Sequence, residues 1–153
     1  MEHKLIVLVL EEHNMQGLNK KILITGGLGF LGVNLTEKLL QLKNKPYLID
    51  IFPESTFNNN VFIPFKLEDV NYSKIDLNEK EKLMEILKTI NPEIIVHAAA
   101  LTNLSRDYQT AIKTIEINIK GTINLLEAIK ELNHPKLIFL STFFIVLFLI
   151  DIY

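Results

Sequence analysis

Short β-branched apolar runs alternate along this chain with longer stretches in which apolar residues recur every three or four positions. Lys21-Ile22-Leu23-Ile24, Pro46-Tyr47-Leu48-Ile49, Asp69 to Ile75, Glu93 to His97 and Lys136 to Ser141 read as strands, with Val61-Phe62-Ile63 competing for the third place. Helical spacing fills the gaps at 29–42, 78–90 and 105–132. Strands separated by helices run parallel, and a parallel sheet needs both faces covered. The pattern predicts an α/β, doubly wound parallel sheet.

Polar punctuation agrees with these boundaries. Lys43-Asn44-Lys45-Pro46 closes the first helix, and Ile51 to Asn60, with Pro53 and three consecutive asparagines, reads as a loop. Asn78 is placed to cap the second helix, whose apolar stripe would be Leu83, Ile86, Leu87 and Ile90 before Asn91-Pro92 stops it. In the third helix Ile115, Ile119, Ile123, Leu126 and Ile129 form the expected buried stripe, ended by Asn133-His134-Pro135.

The candidate chemistry begins where the first strand meets the first helix. Thr25-Gly26-Gly27-Leu28-Gly29-Phe30-Leu31-Gly32 joins them, so a helix N-terminus with free amides stands where a pyrophosphate can sit. Gly26 allows the tight turn, Gly29 lets the backbone approach phosphates, and Gly32 lets the helix pack closely on the strand. Asp50 ends the second strand, about 20 residues on, where an acid receives an adenosine ribose. A carboxylate there accepts from ribose hydroxyls and repels a 2′-phosphate, so NAD is expected rather than NADP. The small side chains of Ala98-Ala99-Ala100 after the fourth strand let a cofactor backbone come close.

The glycines are spaced Gly-x-x-Gly-x-x-Gly, and this segment resembles the extended short-chain dehydrogenases, the NAD-dependent sugar-nucleotide epimerase/dehydratase family. Three further segments resemble it in the same order. Ser73-Lys74-Ile75-Asp76-Leu77 is similar to the family's adenine-contacting Asp-Leu, Ile94 to Ala100 to its fourth strand, and Asn118-Ile119-Lys120-Gly121-Thr122 to its Asn-x-x-Gly-Thr helix. The resemblance runs from about Lys20 to Thr142. It implies a Rossmann-like fold, residues 20–142, with NAD held by Gly26, Gly29, Phe30, Leu31, Gly32, Asp50, Asp76, Leu77, Ala98, Ala99, Ala100 and Asn118. It also implies that Asn118 helps hold the active-site end of the sheet, and that Thr142, after the fifth strand, hydrogen-bonds the substrate's reacting oxygen.

Beyond Thr142 the resemblance stops. The family continues with Tyr-Gly and a catalytic Tyr-x-x-x-Lys, in which a phenolate takes the sugar hydroxyl proton while hydride passes to NAD. Here Tyr47, Tyr72, Tyr108 and Tyr153 all lack a lysine four residues later. The expectation is the NAD-binding part of a UDP-glucose 4-epimerase-like enzyme from a gene that lost its frame or end, inactive as it stands, with a nucleotide-sugar as the intact family's substrate. The alternatives are a nucleotide- or partner-binding module without catalysis, and a protein tethered to a membrane by the apolar run 137–150. That run is shorter than the roughly 18 to 20 residues that span a bilayer. In the family's strand order 3-2-1-4-5, a sheet truncated after the fifth strand leaves Lys136 to Ser141 as an apolar edge, open to aggregation or self-association, with 143–153 as an aberrant apolar tail.

Composition narrows the picture further. The 153 residues suffice for one domain with its own core. A net charge of −2 gives no electrostatic reason to expect nucleic acid. Zero cysteines fit a cytoplasmic address and, with four histidines at no ligand spacing, lead to the expectation of no metal. Residues 1–19 read as an extension, of which Leu5 to Leu10 could form an extra strand. They are followed at once by Glu11-Glu12, which does not suit a secretory signal.

Overall fold

The fold is given by a computed structural model that describes residues 20–102, 105, 107–140 and 148–150. The N-terminal extension, Thr142 and most of the tail lie outside the described residues. The elements in chain order are β1 (Ile22–Thr25), α1 (Phe30–Gln41), β2 (Tyr47–Asp50), the short α2 (Thr56–Asn59), β3 (Asn71–Lys74), α3 (Lys80–Ile90), β4 (Ile94–His97), α4 (Tyr108–Ile115), a π-helical turn at Glu116–Lys120, α5 (Gly121–Ile129), β5 (Lys136–Phe139) and β6 (Phe148–Ile150). The sheet order is β3-β2-β1-β4-β5-β6, and the first five strands are mutually parallel.

Every residue of β1 and β4 is buried, as expected for central strands covered on both faces. Because side chains alternate along a strand, each strand feeds two separate cores. Ile22, Ile24, Leu48, Ile94, Val96 and Ile138 meet Val33, Leu35 and Leu39 of α1 on one face. Leu23, Ile49, Ile95 and Leu137 meet Leu83, Leu87 and Ile90 of α3 and Leu125, Ala128 and Ile129 of α5 on the other.

Three sequence expectations are corrected. The sheet does not end at its fifth strand, since β6 pairs antiparallel with β5 through Leu137↔Ile150, Ile138↔Leu149 and Phe139↔Phe148. The inner edge predicted to lie open is therefore paired by part of the segment read as a tail. Asn78 does not cap α3. Glu79 occupies that position, and its Oε2 accepts from the Asp76 amide.

The third correction concerns the long helix, which is α4, a π turn and α5 rather than one regular element. Ile115, Ile119 and Ile123 are each more than half exposed, while Gly121, Asn124, Leu125, Ala128 and Ile129 face the core. This segment is apolar on two faces, and close approach helps decide between them. A Cβ at Gly121 would lie 3.1 Å from the Leu77 Cβ and press on that side chain, so glycine there lets this face pack closely on Leu77. Accordingly Ile119→Lys should change unfolding free energy by less than about 0.5 kcal/mol, while Leu125→Ala should cost about 2–5 kcal/mol. Urea unfolding of both variants checks the assignment, and the reverse ranking would contradict it.

Candidate functional site

A cavity of about 230 Å³ opens at the carboxyl ends of the central strands, lined among others by Gly26, Gly29, Asp50, Asp76, Leu77 and Ala98 to Leu101. It lies beside the β1/β4 boundary, where the strand order reverses and doubly wound sheets hold their ligands. Its volume is below the 300–1,000 Å³ or so usual for small-molecule sites. Such a space is large enough for only part of an extended dinucleotide.

The glycine turn forms the cavity's central wall. Gly26 has φ +68°, and a Cβ on it would stand 2.6 Å from the Ala99 Cα. The residue is therefore dictated twice, by a left-handed backbone and by contact with the chain leaving β4. Gly29 is freer: its Cβ would meet only the Gly26 carbonyl at 3.2 Å, so the side of it that lines the cavity is open to a ligand. Gly32 differs from expectation in what it touches. A Cβ there would fall 2.2 Å from the Gly26 carbonyl oxygen, so it seats α1 on the turn itself rather than on the strand. Phe30 and Leu31 do not line the cavity, and the Phe30 side chain is exposed. What these positions offer is their first-turn amides, which no carbonyl of the helix can reach.

Asp50 is buried at the end of β2 and bound to the turn it faces. Its Oδ2 accepts from the Leu28 amide at 2.9 Å and its Oδ1 from the Ile51 amide at 2.7 Å. Burial raises its pKa, opposed by these amide bonds and one from Phe52. A carboxylate has about four acceptor positions, so bonding to these amides still leaves capacity for a hydroxyl donor. The loop behind it is held by Tyr72, whose hydroxyl donates to the carbonyls of Phe52 and Asp50. Burial first, then the charges of Asp50 and Glu54, push the Tyr72 phenol above its ordinary range and keep it a donor.

The opposite wall runs from Ala98 to Leu101. Asn118, in the π turn, does not line the cavity but clamps this wall, its Oδ1 accepting from the Leu101 amide at 2.7 Å and its Nδ2 donating to the Leu101 carbonyl at 3.1 Å. Leu77 is fixed through its carbonyl, which accepts from Asn124 Nδ2 at 2.9 Å. Nothing in the spacing of the four histidines marks His97, yet it is buried under this wall. Its Nδ1 is 2.6 Å from Thr25 Oγ1 and its Nε2 2.9 Å from Thr122 Oγ1. The signal available was position: the last residue of a central strand, directly before the alanines. Ile51, Phe52, Asn78 and Ile117 also line the cavity without having been singled out. Among the described residues no cluster of His, Cys, Asp and Glu could hold a metal, and no helix is long and apolar enough to cross a membrane.

A five-stranded parallel core, a glycine turn opening into a helix and an acid at the end of the second strand define a nucleotide-binding domain of the Rossmann type. The chain belongs to the NAD dependent epimerase/dehydratase family, whose pattern it matches over residues 22–145. It is similar to the UDP-glucose 4-epimerase of Mycoplasma genitalium, with 31% identity over 129 residues, covering 84% of this chain and 37% of that protein. It also resembles the dTDP-D-glucose 4,6-dehydratase of Dictyostelium discoideum, with 34% identity over 125 residues, covering 80% of this chain and 29% of that one. Of the solved structures, Pal from Bacillus thuringiensis has a TM-score of 0.68 at 30% identity, covering 80% of this chain and 39% of that chain. The UDP-glucose 4-epimerase of Stenotrophomonas maltophila, solved with NAD and formylated UDP-arabinopyranose, shares the fold with a TM-score of 0.67 at 20% identity, covering 81% of this chain and 37% of that one. The chain spans little more than a third of the length of the curated relatives first matched.

Burial lowers the His97 pKa from 6.5 to about 4. Its neighbours Thr25, Thr122 and Phe139 carry no charge that would counter this. Above pH 6.5 the ring is neutral in both folded and unfolded chains. As pH falls from there towards 4 the unfolded chain takes up the proton first, and stability is lost. The expected loss approaches about 3 kcal/mol near pH 4. Because Asp50, with its raised pKa, titrates in the opposite sense, the quantity to measure is the stability difference between wild type and His97→Gln. It should shrink between pH 7 and 4.5; a flat difference would contradict the buried neutral ring.

Proposed function

We propose that this domain binds NAD as the nucleotide-binding part of an enzyme acting on nucleotide-sugars. The observation that carries this reading is the pairing of Asp50 with the glycine turn: the carboxylate is bonded to the Leu28 amide, so ribose acceptor and phosphate cradle form one rigid unit. The cradle at Gly29, which only a residue without a side chain leaves open, fits the group. Gly26, Gly29 and the amides of Phe30, Leu31 and Gly32 would hold the pyrophosphate, Asp50 the adenosine ribose, Asp76 and Leu77 the adenine, and Ala98 to Ala100 the path towards the nicotinamide. When bound, NAD accepts and returns hydride. The chain's own residues orient it, exclude water from the adenosine end and repel a 2′-phosphate.

The relatives' names support a nucleotide-sugar as the partner, and the absence of cysteine suits a cytoplasmic address. Thr142 is proposed to meet the substrate's reacting oxygen. The 153 residues contain no Tyr-x-x-x-Lys, so no side chain in that arrangement can take the sugar hydroxyl proton. General acid/base help is typically worth about 10² to 10⁴ in rate.

Calorimetric titration should give NAD an affinity at least about tenfold above NADP, a difference of roughly 1.4 kcal/mol. Asp50→Ala should abolish that preference; equal affinities in the wild type would count against the reading. With NAD supplied, the 153-residue polypeptide should show no turnover of UDP-glucose. Turnover that disappears in Thr142→Ala would mean that another base serves.

A further inference from the structure

The hydrogen-bond partners of the His97 ring select one tautomer. The Thr122 hydroxyl donates to the Asn118 carbonyl at 2.7 Å, one turn back in the helix. Having a single proton, it can only accept from His97, so Nε2 carries hydrogen. On the other side the Ala99 amide donates to Thr25 Oγ1 at 3.3 Å, and the Thr25 proton is directed to Nδ1 of a neutral ring. A directed chain results, running from the Ala99 amide through Thr25, His97 and Thr122 to the Asn118 carbonyl. It joins the end of β1 to the helix that carries the Asn118 clamp.

These bonds converge on the cavity wall. The Ala98 amide donates to the Thr25 carbonyl at 3.1 Å, the Ala99 amide to the Thr25 hydroxyl, and the Leu101 amide to Asn118. Ala100 is left as the one amide of the four with no protein acceptor among the described residues. Thr25 acts on the wall from the sheet side and Asn118 from the helix side; His97 bonds Thr25 directly and reaches Asn118 through Thr122, whose hydroxyl donates to the Asn118 carbonyl. Its ring also packs against Phe139, with centroids 5.3 Å apart, which limits its freedom to turn.

We infer that His97, as the neutral Nε2–H tautomer, is a positioning residue for the cofactor cavity, setting the distance between the glycine turn and the helix and so the placing of the 98–101 wall. The inference rests on the NAD-binding reading for its affinity readout but not for its tautomer and hydrogen-exchange readouts. Displacement of the wall should weaken binding by about tenfold or more.

The test uses the full chain at neutral pH, with folding of each variant established by circular dichroism. His97→Leu and Thr122→Val should each weaken NAD, the double variant should be no worse than His97→Leu alone, and Ile90→Val, a core change at the far end of α3, should stay within about twofold of wild type. Faster amide exchange at Ala99 and Leu101 should appear in Thr122→Val and not in Ile90→Val. His97→Leu binding NAD as wild type does would overturn the inference while leaving the NAD reading intact. Failure of the wild type to bind NAD would overturn the latter alone. In that case ring nitrogen NMR and amide exchange still decide: a proton on Nδ1, or unchanged exchange in folded Thr122→Val, would overturn the role assigned to His97.

Discussion

Everything at the mouth of this sheet depends on how closely two backbones approach each other. The chain leaving β1 turns at Gly26 in a conformation with positive φ, and the chain leaving β4 passes where any side chain on that residue would be. This contact sets the position of the glycine turn against the alanine wall. Gly32 repeats the constraint one step on by seating α1 against the Gly26 carbonyl. A helix N-terminus, an acid and a small-residue wall are thus brought around one cavity by close packing between backbones.

Polar contacts then hold what the close packing brings together. Each wall has its own tether: Asp50 on the Leu28 amide, Tyr72 on the carbonyls that follow Asp50, Asn124 on the Leu77 carbonyl and Asn118 on both polar groups of Leu101. Cavity walls formed from loops would otherwise carry unpaired backbone groups at the end of a dry sheet, and such groups are costly when buried. All of these tethers are side chains bonding to main chain, so wall position depends on a few polar residues. The π turn at Glu116–Lys120 contributes to this. Asn118 and Thr122 address the cavity wall and His97 from neighbouring turns, while Ile119 between them faces outward.

The alternation of strands and helices and the glycine turn were legible because each rests on a local pattern: continuous apolar runs, helical spacing, glycines between them; the third strand had Val61-Phe62-Ile63 as a rival, and the strand order came from the family resemblance. Asp50 and the alanines were legible through position relative to those strands, Asp76 and Leu77 through the family resemblance, and all line the cavity. Features that depend on tertiary choice were not. Ile115, Ile119 and Ile123 make as good a stripe as Leu125, Ala128 and Ile129, and the choice of face follows from tertiary packing, including the close approach at Gly121. Asn78 resembles a cap until Glu79 takes the position, and β6 cannot be inferred from a run that has no turn signal before it. His97 escaped notice because both its partners, Thr25 and Thr122, lie far from it in sequence.

That last separation bears on how the molecule comes into being. Thr25 and His97 are 72 residues apart, and β1 has no neighbour on that side until β4 has been made. Loop closure over such a distance must be met before the contact gives anything in return, and parallel pairings of this kind form slowly. At about 5–20 residues per second of synthesis, the glycine turn leaves the ribosome several seconds before the strand that completes it. During that interval the turn is a flexible loop with no wall opposite. The wall opposite the glycine turn therefore becomes available only once β4 has been made and has paired with β1.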